Sequence, residues 1–181
     1  ITIVNNYSDS PVNGGSNVGG VFGAIGNDES RAVNVKASHC TGNVIGEDKV
    51  GGFIGLNHNT LSLSNSYSSG DVTRKSSSSG TNFGGFVGNN TSADVTNSYC
   101  TGSVSYQGAD NPTDKGFAGA DSSSSSNNFF DSEASNQNSD AAGTATAKST
   151  AEMQLIGTFT KSSTSGLDSA WDFAGDPYTD N

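Results

Sequence analysis

Along much of the chain, apolar and polar residues alternate with a period of two. Leu61-Ser62-Leu63-Ser64-Asn65-Ser66-Tyr67 is strict: Leu61, Leu63, Asn65 and Tyr67 fall on one face and serines on the other. Ile1, Ile3, Asn5 and Tyr7 repeat the pattern, as do Ala93, Val95, Asn97 and Tyr99, and Ala32-Val33-Asn34-Val35 follows it. This is the period of strands, and Gly and Asn break the runs into short pieces.

The pieces recur in register. One phrase is Gly-Gly-apolar-apolar-Gly, at Gly19–Gly23, Gly51–Gly55 and Gly84–Gly88, with a worn copy at Lys115–Gly119. The other is Asn65-Ser66-Tyr67-Ser68-Ser69-Gly70-Asp71-Val72, matched at 97–104, 37–44 and 5–12, with a diverging copy from Asn127. The second glycine stands at 20, 52, 85 and 116, and the aromatic position at 7, 39, 67, 99 and 129. Units of about 30 residues built from strands predict a solenoid, in which each unit buries its apolar face against its neighbours. The expected fold is all-β: a right-handed parallel β-helix of about 4–5 coils. Its handedness follows from the general preference for right-handed crossovers.

Stacking turns each repeat position into a column. Asn5, Asn65, Asn97 and Asn127, with Ala37 as the exception, are expected to line one corner facing inward as an amide ladder. Tyr7, His39, Tyr67, Tyr99 and Phe129 form an aromatic row beside it, and Val12, Val44, Val72 and Val104 close the strand. Cys40 and Cys100 share a column with Ser8 and Ser68 but lie two coils apart. Two rungs span about 9.6 Å, beyond the roughly 7 Å Cα separation that a disulfide tolerates. They are expected to be free thiols in the wall.

Composition fits a thin core. Only 31% of the 181 residues are hydrophobic, and 24 are Gly. The net charge of −10 argues against neutralising a nucleic-acid backbone and against docking on an anionic membrane. No stretch reaches the roughly 20 apolar residues of a membrane-spanning helix. The first residues, Ile1-Thr2-Ile3-Val4, read as mid-strand, so the chain is expected to be part of a larger protein and the lack of a basic-then-apolar leader proves nothing.

The repeats resemble the GLUG-motif repeats of bacterial surface proteins, which pair a GGFVGxN phrase with an NSYSTGxV phrase, here clearest over 50–72 and 83–104. Asn128-Phe129-Phe130-Asp131, Ser149-Thr150-Ala151-Glu152-Met153 and Trp171-Asp172-Phe173 are similar to that family's closing unit. The resemblance implies an extracellular, cell-surface module found in adhesins and in non-catalytic regions of large secreted proteins. It implies architecture and location more than a reaction.

The expected division is a solenoid over 1–134 and a cap or extension over 135–181 with one short helix. Ser149-x-x-Glu152 has capping-box spacing before Met153. Met153, Leu155, Ile156, Phe159, Leu167, Trp171 and Phe173 are expected to cover the solenoid end. A flexible linker is the competing reading.

Candidate chemistry is sparse. His39 and His58 are the only histidines and share no column; His39 stands where other coils carry Tyr. No Ser-His-Asp set or zinc-ligand set is brought together, so no catalysis is expected. Calcium stays open as a weak ligand of the turns at Asn27-Asp28-Glu29 and Glu47-Asp48, with a solvated charged turn the better reading. The acidic residues do not stack into the carboxylate groove of a polysaccharide-cleaving β-helix. Asp9, Thr41, Ser69 and Thr101 do stack, on an outward row. Thr41, Ser69 and Thr101 are therefore the candidate ligand face, toward a glycan or a host or neighbour-cell surface protein. An ice-binding face and a passive stalk are the alternatives.

Overall fold

The computed structural model describes residues 1–26, 33–58, 61–76, 80–91, 93–108 and 112–159. The first three coils each lay down five very short strands. The second coil is representative: Val33–Lys36, His39–Cys40, Val44–Gly46, Asp48–Gly51 and Ile54–Asn57. Each strand pairs in parallel with its equivalents one coil away, giving five narrow sheets. The register follows the sequence repeat, as in Val12↔Val44↔Val72↔Val104 and Ser8↔Cys40↔Ser68↔Cys100↔Phe130. The chain is a parallel β-solenoid of about four turns.

Strands are short because particular residues turn the backbone. Asn5, Ala37, Asn65, Asn97 and Asn127 occupy one corner with φ of 56°, 51°, 52°, 49° and 57°. This is the left-handed region, which Asn tolerates better than most side chains. The corner overturns the expected inward amide ladder. Asn5 and Asn65 are exposed, Asn127 is half-buried, and only Asn97 is buried. A left-handed residue also shifts the strand alternation by one place. Leu63 is buried before the corner, but Ser66 and Ser68 are buried after it, so Tyr67 faces out.

The inward polar column is therefore Ser38, Ser66, Ser98 and Asn128. The N–H of Asn6 donates to Ser38 Oγ (3.1 Å), that of Ser38 to Ser66 Oγ (3.2 Å), that of Ser66 to Ser98 Oγ (3.3 Å) and that of Ser98 to Asn128 Oδ1 (3.0 Å). Each serine hydroxyl donates in turn to the carbonyl two residues before it. The corner thus breaks the backbone ladder without leaving buried donors unpaired.

The glycine phrase has a different job. A side chain on Gly52 would come within 2.9 Å of Ser68 Oγ, and one on Gly85 within 2.7 Å of Cys100 Sγ. The second glycine and the Ser/Cys column thus meet across the core, which explains why both phrases recur together. The third glycine lets two sheets meet backbone to backbone: a Cβ on Gly88 would lie 2.5 Å from Val50 N and from Gly55 O. The phenylalanines between the glycines stack, Phe53 on Phe86 at 5.0 Å and Phe86 on Phe117 at 4.9 Å.

The parallel ladder continues past residue 134. Asn128–Asp131 pairs with Tyr99–Cys100, and Ala145–Lys148 adds a further strand on it. Two short helices flank that strand: Ser132–Ser135, capped by the Asp131 carboxylate, and Thr150–Met153, which carries the expected Ser149/Glu152 capping box. The solenoid end is closed by polar side chains that replace backbone partners. Gln137, 1% exposed, accepts from Lys115 N and donates to Val104 O. Asp140 accepts from Ala118 N, Thr144 N and Thr144 Oγ1. Of the residues expected to form the cover, Met153 and Phe159 pack against the outer aromatic column at Phe129 and Tyr99, while Leu155 is 59% exposed. The side chain of Ile156, and Leu167, Trp171 and Phe173, lie outside the described residues.

Candidate functional site

The outward face that follows the Asn corner carries two parallel columns. Tyr7, His39, Tyr67, Tyr99 and Phe129 are in register through consecutive rungs. Two residues on, Asp9, Thr41, Ser69 and Thr101 stack beside them, tied by Thr41 N to Ser8 O, Ser69 N to Cys40 O and Thr101 N to Ser68 O. Asp9, Thr41 and Ser69 are exposed and Thr101 is half-buried. The structure thus brings the three candidate face residues into one row.

The rings stack on one another. Tyr7 and His39 lie 5.7 Å apart at 17°, His39 and Tyr67 4.8 Å at 3°, and Tyr67 and Tyr99 5.1 Å at 8°. Their faces are therefore used within the column, and what the surface offers a partner is ring edges and hydroxyl groups. Such a face hydrogen-bonds; it does not present a flat ring for stacking, except at Tyr7, which is 70% exposed. Toward the other end Phe159 covers Tyr99 at 5.4 Å and Phe129 at 5.8 Å. Burial, with the neighbouring Tyr67 adding to it, pushes the Tyr99 phenol up to about 12, and burial also raises that of Tyr67.

The remaining candidates scatter. His39 is one ring of the aromatic column, and His58 follows a strand of a different sheet, Ile54–Asn57. Among the described residues, no group of three or more His, Cys, Asp or Glu is placed to hold a metal ion. Asp48 pairs with Lys49 at 2.8 Å. The turn at Asn27-Asp28-Glu29 lies outside the described residues. Cys40 and Cys100 are free and buried. Burial raises both thiols, most strongly Cys100, where the carboxylates of Asp140 and Asp131 add to the effect.

Sequence reasoning missed the serine column and the Gln137/Asp140 closure. For the first a signal was present: the position after each corner residue is Asn6, Ser38, Ser66, Ser98 and Asn128, polar in every copy. For the second there was none, because Gln137 and Asp140 occur once each outside the repeat.

No curated protein and no solved structure matches the chain. A family model does match part of it, from Lys49 to Thr73. That segment holds one glycine phrase, the Asn65 corner, the inward Ser66, the outward Tyr67 and Val72, nearly one full circuit of the solenoid. Residues 49–73 are a GLUG motif, a motif of repeat regions in surface proteins.

Proposed function

We propose that the chain is a non-catalytic structural and adhesive module of a bacterial cell-surface protein, contacting a glycan or protein partner through its outer face. The observation that carries the reading is the row Thr41, Ser69 and Thr101 set beside the edge-on aromatic column, outward hydroxyl groups repeated once per rung. Each buried column is spent on the next coil, so contact chemistry concentrates on what points outward. The row is single file and starts at an acid, Asp9, which suits a molecular partner better than the two-dimensional grid of an ice surface.

The test is binding of the purified chain to a panel of glycans and matrix proteins, with calcium and with chelator. Saturable binding that is lost when Thr41, Ser69 and Thr101 are replaced by Val, Ala and Val supports an adhesive face there. No binding across the panel sinks the adhesive reading and leaves a spacer.

A further inference from the structure

One column of the solenoid changes character halfway along. Gly14, Gly46, Arg74 and Tyr106 occupy equivalent places, since Arg74 pairs in register with both Gly46 and Tyr106. In the second rung the place is too tight for any side chain: a Cβ on Gly46 would lie 2.7 Å from Val50 and 2.9 Å from Val18. In the third and fourth rungs it holds two of the largest side chains in the chain, and the opposing residue changes from Val18 and Val50 to Phe83. Where a repeat is otherwise kept by packing, such a departure needs its own reason.

The departure opens a cavity of about 280 Å³, lined among others by Arg74, Thr81, Phe83, Tyr106, Asp114 and Lys115. That is just below the 300 Å³ or so of pockets for drug-sized ligands, room for one ring-sized group. Two of only 8 basic residues in a chain of net charge −10 meet there. The Arg74 guanidinium is 4.4 Å from the Tyr106 ring centroid and 5.8 Å from that of Phe83, with Nε donating to Glu47 O. Arg74 is 7% exposed, so its charge sits in the wall and its plane is fixed. Lys115 is anchored through its backbone N–H to Gln137, and its Nζ donates to Gly119 O at 3.3 Å and lies 3.6 Å from the Asp114 carboxylate.

We propose that this cavity is a subsite for an acidic sugar residue, a uronate unit of a glycan. Arg74 and Lys115 face its carboxylate, the Thr81 hydroxyl and the Asp114 carboxylate exchange hydrogen bonds with ring hydroxyls, and the aromatic wall meets its apolar face. Guanidinium and ammonium donors to a carboxylate form the stronger, charge-assisted class of hydrogen bond. The inference rests on the reading that the module contacts glycans, but it places a contact away from the Thr41, Ser69 and Thr101 row.

Titration of the full chain with oligogalacturonate and with a neutral galactose oligomer of equal length, at low and high salt, tests it. The uronate binds, the neutral oligomer does not, and salt weakens the binding. Lys115→Gln weakens it about tenfold, the loss of one charge-assisted contact. Arg74→Lys, which keeps the charge but loses the planar fork, weakens it too, with thermal melts confirming that both variants fold. No uronate binding, or uronate binding unchanged in both variants, overturns the proposal. Binding lost on changing Thr41, Ser69 and Thr101 but kept in Lys115→Gln overturns the cavity assignment while leaving the outer-face reading intact.

Discussion

Replacing Gly88 by alanine probes one of the close backbone approaches in the fold. The added Cβ would lie 2.5 Å from Val50 N and 2.5 Å from Gly55 O, with the Lys49 carbonyl carbon closer still. Carbon and its neighbours normally rest about 3.5–4 Å apart, so roughly 1 Å of separation must be created. All three obstacles are backbone atoms, and no rotamer change relieves them. Overpacking in cores costs about 1–3 kcal/mol, and a clash with hydrogen-bonded backbone belongs at or above the upper end. Because neighbouring rungs support one another, the strain falls on the central coils. At about 2–4 °C per kcal/mol for a chain of this size, a 3 kcal/mol loss lowers Tm by about 6–12 °C. Gly15→Ala is the control, because nothing lies within 4 Å of its Cβ; it is expected to stabilise by up to about 1 kcal/mol through the unfolded state. Circular-dichroism melts of both variants decide the matter. A Gly88→Ala protein that melts with the parent, or a Gly15→Ala protein that falls as far, refutes backbone-to-backbone packing as the reason for the glycine phrase.

Three further outcomes are expected. Ser66→Ala strands the buried N–H of Ser38 and is predicted to cost about 1–3 kcal/mol, whereas Ser62→Ala, on the exposed side of its strand, is neutral; denaturant titration compares them. The Tyr99 phenol, pushed up to about 12, stays protonated in the fold after unfolded tyrosines ionise near pH 10. Its stabilising contribution is whole below pH 10 and is lost as pH climbs toward 12; an ultraviolet titration shows phenol absorbance still rising above the unfolded range, and Phe159→Ala brings the Tyr99 part of it down. A thiol reagent is expected to leave Cys40 and Cys100 unmodified in the native protein and to label both in denaturant; rapid native labelling of either contradicts their burial.

The architecture was legible because two signals agreed. The spacing of the glycine phrases set the coil length, and the alternation at Leu61–Tyr67 set the strand period. The columns were then read in the right register, including the Cys40–Ser68–Cys100 column that rules out a disulfide. Which way the columns face was harder. Alternation carries through a strand but not through a left-handed residue, and nothing in Asn65 alone says that the count shifts there. Ala37, with no side-chain amide to ease that conformation, shows that the corner is dictated by the stack and not by local preference. Tyr67 and Ser69, two residues apart, keep the same parity after the turn, so the row at Thr41, Ser69 and Thr101 lies on the same side of its strands as the aromatic column. The Arg74/Tyr106 cavity was illegible for another reason: it consists of departures from the repeat, and a reading built on likeness between copies passes over them.

The serine column gives the solenoid a polarity. Along this column every rung hands its amide proton to an oxygen on the rung that follows, so there one surface of a coil gives and the other receives. Along this column two coils match only when they run the same way. Brought together reversed, such surfaces would oppose hydrogen to hydrogen or oxygen to oxygen along that column. A stack built in this way admits whole coils inserted or removed in the chain's own direction, and it discourages two molecules from joining tip to tip.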